Sequence, residues 1–106
     1  MDYTIEQFKH DIEEVITVCH EEIEAINRGE QREATVSQIE QYIIPEMEQL
    51  LEMIELGTLP KPAKYGSRYL KSTQEVLRSW SWDINKDEKL IDLLGWLDTN
   101  YHRSTF

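Results

Sequence analysis

The sequence predicts an all-α protein, a compact antiparallel bundle of four helices. Apolar residues recur every three or four positions through most of the chain, as they do on one face of a helix. No stretch alternates apolar and polar residues for long enough to predict a good strand. A chain of 106 residues fits one domain, and folding at that size buries roughly two-thirds of the unfolded chain's surface. Each amphipathic helix needs a partner for its apolar stripe, and an antiparallel bundle is the simplest arrangement.

The first helix is predicted over residues 5–28. Thr4 and Gln7 are spaced for a capping box, in which each side chain binds the backbone N–H of the other residue. Gly29 supplies the left-handed residue that often follows a last helical turn. The apolar stripe consists of Ile5, Phe8, Ile12, Val15, Cys19, Ile23 and Ile26.

The second helix is predicted over residues 36–56, between a capping box of Thr35 with Gln38 and the terminating Gly57. Pro45 lies inside this helix, where it lacks an N–H and crowds the carbonyl four residues earlier. The stripe continues on both sides of the proline, which favours a kink over a break. Its apolar residues are Val36, Ile39, Ile43, Met47, Leu50 and Ile54.

Two shorter helices are predicted after a loop at residues 57–66, where two prolines disfavour helical conformation. The third helix is expected over residues 67–81 and the fourth over residues 86–100. The residues predicted to face the core are Leu70, Thr73, Val76, Leu77 and Trp80 in the third helix, and Leu90, Ile91, Leu94, Leu97 and Tyr101 in the fourth.

Asp83, Asn85 and Asp87 occupy alternate positions, as the first ligands of a calcium-binding loop do. Such a loop also needs a glycine at its sixth position and a glutamate at its twelfth. Here Glu88 and Leu94 stand at those positions. Because Asn85 followed by Glu88 is a capping pattern, we interpret the segment as a helix start rather than a calcium site.

A metal site on the first helix is the one enzymatic alternative. Glu6, His10 and Glu14 lie one turn apart, and His20 with Glu24 repeats the spacing. Carboxylate-bridged metal bundles place a histidine three residues after a glutamate, and that pattern is missing from this sequence. Phosphate-binding loops, nucleophile motifs and zinc-type cysteine spacing are missing too. We therefore expect a solvated helix face, no catalytic residues and no cofactor.

The single cysteine, Cys19, cannot form an internal disulfide. Its position on the apolar stripe predicts a buried, inert thiol rather than a nucleophile. The sequence has neither a charged leader followed by an apolar segment nor an apolar run of about 18 residues. These features predict a cytoplasmic protein.

Charge is divided unevenly along the chain. Residues 1–56 hold fifteen acids and three bases, residues 57–82 hold one acid and five bases, and residues 83–106 have a net charge of −2. The acidic half is expected to repel nucleic acids and anionic membranes and to speed association with a basic protein. Ordinary solubility is the alternative explanation.

The basic segment consists of Lys61, Lys64, Arg68, Lys71 and Arg78. Neutralisation of the acidic helices within the fold is the preferred interpretation. A protein-binding patch is the second, because Tyr65 and Tyr69 lie between the cations and tyrosine and arginine are favoured interface anchors. Nucleic-acid binding is the last.

The tryptophans also suggest a binding surface. Trp80 and Trp82 lie roughly 200° apart around a continuing helix and could not share one buried face. One of them is expected at the rim of the core. Trp96 lies at the edge of the fourth stripe, where an exposed indole would suit an interface.

Together these features predict a small acidic protein-binding module, most concretely a bacterial immunity protein or antitoxin that neutralises a basic, nuclease-like toxin. The alternative is a self-associating helical subunit or scaffold without catalytic activity. The predicted partner-binding residues are Glu13, Glu14, Glu21, Glu24, Glu48, Glu52, Glu55, Tyr65, Tyr69, Trp82 and Trp96.

Overall fold

The computed structural model describes residues 3–61, 68–80 and 89–106. These residues form four helices and no strand, so the predicted all-α bundle is confirmed. We number the helices in chain order: α1 is Ile5–Asn27, α2 is the continuous run of Val36–Gln38, Ile39–Ile43 and Ile44–Leu56, α3 is Lys71–Ser79, and α4 is Lys89–Arg103.

Local sequence signals set both ends of α1. The Thr4 hydroxyl accepts from the Gln7 N–H at 3.1 Å, and the Gln7 side chain accepts from the Thr4 N–H at 2.8 Å. At the other end Gly29 has a φ of 93°, and the Glu30 N–H binds the Ala25 carbonyl at 3.0 Å. This bond and the one from Gly29 to Ile26 form a Schellman motif. Helix α1 thus ends one residue before the predicted boundary.

The ends of α2 follow the same pattern. Thr35 and Gln38 form the second predicted capping box. Gly57 has a φ of 69°, and the Thr58 N–H binds the Met53 carbonyl at 2.8 Å. Both helix ends depend on residues within one turn of the boundary, which is why the sequence alone predicted them.

The predicted irregularity at Pro45 takes the form of a π turn. Residues Ile39–Ile43 have π-helical geometry, and the Ile44 N–H donates to the Ile39 carbonyl five residues earlier. The wider turn moves the preceding carbonyls away from where a proline ring would strike them in a regular α-helix. Helix α2 therefore passes through Pro45 without a break, and Ile43 and Met47 on either side are fully buried.

Helix α3 is shorter than the predicted range of 67–81. Leu70 has a ψ of 89° and Trp80 a ψ of 141°, so neither belongs to the helix. Helix α4 continues to Arg103, three residues past its predicted end. Its predicted start near residue 86 lies outside the described residues.

The helices pack with α1 between α2 and α4. The Phe8 ring stacks on the Tyr101 ring with centroids 4.6 Å apart, so the start of α1 lies beside the end of α4. Ile5 and Ile54 border one cleft, which places the start of α1 beside the end of α2. Helix α1 is therefore antiparallel to both neighbours, in a molecule of 41 × 26 × 24 Å.

Carboxylates from two other helices hold the start of α3. The Glu46 side chain on α2 accepts from the Ser72 N–H and the Thr73 N–H, each at 2.9 Å. Asp98 on α4 accepts from the Leu70 N–H at 3.0 Å. The residue preceding α3, Leu70, has no capping side chain of its own. Glu46 and Asp98 therefore satisfy helix N–H groups and place negative charge at the positive end of the helix dipole.

The end of α3 is held by α2 as well. The Trp80 indole N–H donates to the Gln38 side-chain oxygen at 2.8 Å, and the Gln38 amide donates to the Ser79 hydroxyl at 3.3 Å. Because Glu46 contacts the start of α3 and Gln38 its end, α2 and α3 run antiparallel. Gln38 thus serves both the capping box of α2 and the attachment of α3.

Replacement of Glu46 tests this capping. Glu46→Ala should lower the free energy of unfolding by about 2 kcal/mol, because hydrogen bonds to a charged group each contribute roughly 1.5–3 kcal/mol and helix caps about 1 kcal/mol. Urea denaturation gives the measurement. The control, Glu48→Ala, removes an exposed glutamate of the same helix and should change stability by less than about 0.5 kcal/mol. Equal stability of the two variants would contradict the assignment.

Candidate functional site

The predicted acidic residues of α1 and α2 lie at the surface. We call the following seven residues the acidic surface: Glu13, Glu14, Glu21, Glu24, Glu48, Glu52 and Glu55. Six are exposed and Glu14 is partly exposed. The two helices that carry them pack against each other. No ion pair joins any of the seven to a lysine or arginine of the described residues.

The position of these acids follows from the burial of α1. Phe8, Ile12 and Cys19 are fully buried, and a helix turns by about 100° per residue. Glu13 and Glu24 consequently lie on the side of α1 away from the core, and both are exposed. The packing of α1 therefore turns Glu13, Glu21 and Glu24 to solvent.

Two of the three bases in the acidic half are engaged elsewhere. The Arg28 side chain pairs with Glu30 at 2.8 Å, and Arg32 pairs with Glu30 at 3.2 Å and with Glu22 at 3.1 Å. This network lies at the connection between α1 and α2, and it raises the pKa of Arg32 and lowers that of Glu30, in each case chiefly through the hydrogen bond to the partner. The arginines thus stabilise the connection instead of neutralising the acidic surface.

Glu22 is a buried residue that sequence reasoning missed. It is 8% exposed, and its ion pair with Arg32 compensates the buried charge. Its position three residues after Cys19 puts it on the buried side of α1, and this was the available signal. Glutamate is seldom buried without a partner, and its partner Arg32 lies ten residues away, so the local pattern alone favours an exposed side chain.

The preferred interpretation of the basic segment is wrong for Arg68. This residue is 3% exposed; its Nε donates to the Pro60 carbonyl at 2.7 Å and its Nη1 to the Ser104 hydroxyl at 2.9 Å. The guanidinium carbon lies 5.4 Å from the Tyr101 ring centroid and 5.0 Å from that of Phe106. Neutral acceptors and ring faces thus surround a cation that was expected to meet carboxylates of α1 or α2.

The other described cations of the basic segment form no ion pair with the acidic helices either. Arg78 pairs with Glu75 on its own helix at 3.3 Å, where both side chains are exposed. The Lys71 ammonium lies 5.8 Å from the Tyr69 ring centroid. Lys61 is exposed. Lys64 lies outside the described residues.

Two of the four predicted aromatic anchors, Tyr69 and Trp96, lie among the described residues, and both are exposed. Trp96 is 62% exposed and Tyr69 is 45% exposed, and their role as interface anchors stays a prediction. Trp80 is 4% exposed and belongs to the core. Tyr65 and Trp82 lie outside the described residues, as do Asp83, Asn85 and Asp87 of the calcium-like pattern.

Residues 3–61, 68–80 and 89–106 contain no group of three His, Cys, Asp or Glu side chains placed to hold a metal ion. Glu6 and His10 are exposed on α1 and Glu14 is partly exposed. Their spacing along the helix does not bring them together as a set of ligands. The metal-site alternative therefore has no support from the geometry of α1.

No protein-family model, curated protein or solved structure matches the chain. None of the described helices combines the length and the apolar character needed to cross a membrane.

The Cys19 thiol is buried, as predicted. Burial raises its pKa from 9.0 to about 12, with a smaller contribution from the charge of Glu22. Because the thiolate is the reactive form, Cys19 is inert as a nucleophile near neutral pH.

This raised pKa predicts a loss of stability at high pH. Between pH 9 and 12 the unfolded thiol loses its proton while the folded thiol keeps it, so the unfolded state is favoured as pH rises. The free energy of unfolding should fall by up to about 1.4 kcal/mol per pH unit more steeply than in Cys19→Ala. Urea denaturation of both proteins from pH 8 to 10.5 measures the difference. Parallel pH profiles would show that Cys19 ionises equally in both states.

Proposed function

We propose that this protein is a small acidic protein-binding module whose acidic surface binds a basic protein. Its most concrete form is a bacterial immunity protein or antitoxin that blocks a nuclease-like toxin. The observation that carries the proposal is the acidic surface itself: seven carboxylates on two packed helices, none of them paired with a described cation.

The electrostatic field of the acidic surface favours association with a basic protein. Charges of one sign on neighbouring helices produce a field that raises the association rate with an oppositely charged protein by roughly 10- to 1,000-fold. A nuclease presents cations where it meets nucleic-acid phosphates. Glutamates arranged on a rigid helix pair could occupy those cations and exclude the substrate.

The repulsion between neighbouring glutamates of the acidic surface also supports a binding role. Glu21 and Glu24 lie one turn apart on α1, and like charges at this spacing destabilise a helix by a few tenths of a kcal/mol. Arg28 and Arg32, which could have offset this repulsion, are bound in the connection that follows α1. A role of these glutamates in binding is a sufficient reason for the helix to retain this destabilising repulsion.

The exposed aromatic residues suit the rim of such an interface. Trp96 and Tyr69 each present a large ring with one polar atom, a combination enriched at protein interfaces. In the proposal the acidic surface provides attraction and orientation, and these rings provide apolar contact area.

Charge reversal tests the proposal directly. Glu13→Lys, Glu21→Lys and Glu24→Lys should each slow association with the basic protein encoded beside this chain's gene, and the effect should shrink at high salt. Asp92→Lys is the matched control, because it makes the same charge change at an exposed residue of α4. Stopped-flow association rates give the measurement. Equal rates for all four variants, or no binding to any neighbouring gene product, would overturn the proposal.

A triple replacement separates binding from folding. Replacing Glu14, Glu21 and Glu24 with glutamine should raise stability at low salt by about 0.3 kcal/mol, or roughly 1–2 °C in melting temperature. The same variant should associate more slowly with the partner. A triple variant that melts earlier and binds as fast as the parent would show that these acids serve the fold alone.

Self-association is the second candidate, favoured by the exposure of apolar side chains at Leu56 and Trp96. Under this alternative, light scattering should show a mass above that of the 12.6 kDa chain at micromolar concentrations, and Trp96→Gln should lower it. A monomer throughout that range would exclude the alternative.

A further inference from the structure

An apolar cleft with a volume of about 310 Å³ lies where the start of α1 meets the end of α2 and the C-terminal residues. Its size falls at the lower end of the usual range for small-molecule sites. Two cationic side chains, Lys61 and Arg68, border it. The other lining residues are Ile5, Met53, Ile54, Gly57, Leu59 and Phe106.

Arg68 carries a buried charge without a counter-ion among the described residues. Buried arginines are normally paired with a carboxylate or a phosphate, because an isolated charge is costly to remove from water. The two hydrogen bonds of this guanidinium both go to neutral oxygens, on Pro60 and Ser104. Its Nη2, which has two N–H groups, makes no hydrogen bond to a described residue.

The burial of Arg68 lowers its pKa, chiefly through desolvation. Arginine nevertheless stays protonated in proteins near neutral pH. Arg68 therefore gives the cleft a positive charge, and the exposed side chain of Lys61 adds a second one at the same cleft.

We propose that this cleft binds a medium-chain aliphatic carboxylate, with its head group between Arg68 and Lys61 and its chain against Met53, Ile54 and Phe106. A carboxylate fits the planar donor edge of a guanidinium and is stabilised by charge-assisted hydrogen bonds. The apolar walls exclude a fully polar anion such as phosphate as the best ligand, because they would desolvate it without compensation.

The volume of the cleft sets the length of the ligand. A water molecule takes up roughly 30 Å³ of the liquid, and a carbon or oxygen atom of a small organic acid is of similar size. The cleft therefore holds about ten non-hydrogen atoms. Octanoate has this size and is the probe of choice.

A purely structural role accounts for only part of the arrangement. Through Nε and Nη1, Arg68 links the Pro60 carbonyl to the Ser104 hydroxyl and so connects the end of α2 to the C-terminal residues. That role uses neither Nη2 nor the apolar cleft that Arg68 borders. The cleft is also distinct from the acidic surface, so the two proposals stand or fall independently.

Calorimetric titration of the full chain with octanoate is the experiment. We expect saturable one-to-one binding below the concentration at which octanoate aggregates. Hexanoate should bind about 15-fold more weakly, since each buried methylene changes the dissociation constant about fourfold. Octan-1-ol, which has the same chain and no charge, should bind at least tenfold more weakly than octanoate. Absence of saturable octanoate binding, or equal affinity for octanol, would overturn the proposal.

Substitutions of the two cleft cations test whether octanoate binds in the cleft. Lys61→Gln should weaken octanoate binding severalfold without unfolding the protein, because Lys61 is exposed. Lys89→Gln is the control, since it removes an exposed lysine at the far end of α4. Arg68→Lys keeps the charge but loses the planar donor edge, and should weaken binding more than Lys61→Gln. Equal effects of Lys61→Gln and Lys89→Gln would place binding elsewhere.

The methyl resonances of the cleft give an independent readout. On addition of octanoate, the signals of Ile5, Met53 and Ile54 should shift, while those of Ile12 and Ile39 in the core should not. Shifts confined to Leu56, outside the cleft, would indicate a different surface and contradict the proposal.

Discussion

The rest of this structure depends on the burial of the apolar stripe of α1. This helix contains 23 residues and is about 34 Å long at roughly 1.5 Å per residue, most of the length of the molecule. Helices α2 and α4 cover it from two sides. The contact of Phe8 with Tyr101 places the end of α4 beside the start of α1, and the cleft shared by Ile5 and Ile54 places the end of α2 there too. Once this stripe is buried, Glu13, Glu21 and Glu24 face outward, and Glu22 is the acidic residue of α1 that is buried with it.

Helix α3 depends on the others for its existence. At nine residues it is shorter than an isolated helix needs to be to persist in water. Glu46 and Asp98 satisfy the N–H groups at its start, and Trp80 anchors its end to Gln38. The position of α3 in turn determines where Arg68 and the cleft beside it lie.

The fold contains two buried charges of opposite sign, Glu22 and Arg68, which have different kinds of partner. Glu22 is buried on α1 and has a direct ion pair with Arg32. Arg68 is buried shortly before α3, among two neutral oxygens and two aromatic rings. The first charge has a direct counter-ion, although its Oε2 has no hydrogen-bond partner, whereas the second charge has no counter-ion among the described residues and borders an apolar cleft. This difference is why the cleft, and not the network around Glu22, suits an anionic ligand.

The sequence by itself determined the features that depend on neighbouring residues. The capping boxes at Thr4 and Thr35 and the left-handed glycines at Gly29 and Gly57 set helix ends within one residue, because each uses contacts inside a single turn. Helical periodicity likewise identified the buried stripes and the outward position of the acidic surface. These local signals were sufficient to predict the fold class and the exposure of most of the glutamates.

Only the tertiary structure decided the features that join distant parts of the chain. The bonds from Glu46 to Ser72 and Thr73 span 26 and 27 residues, and the bond from Arg68 to Ser104 spans 36 residues. The limits of α3 and the burial of Arg68 follow from these contacts. A pattern of charges along the sequence predicts how many cations a segment contains, but not whether each one meets a carboxylate, a carbonyl or a ring. That choice is made by packing, because the energy of a buried charge depends on the atoms that surround it in space.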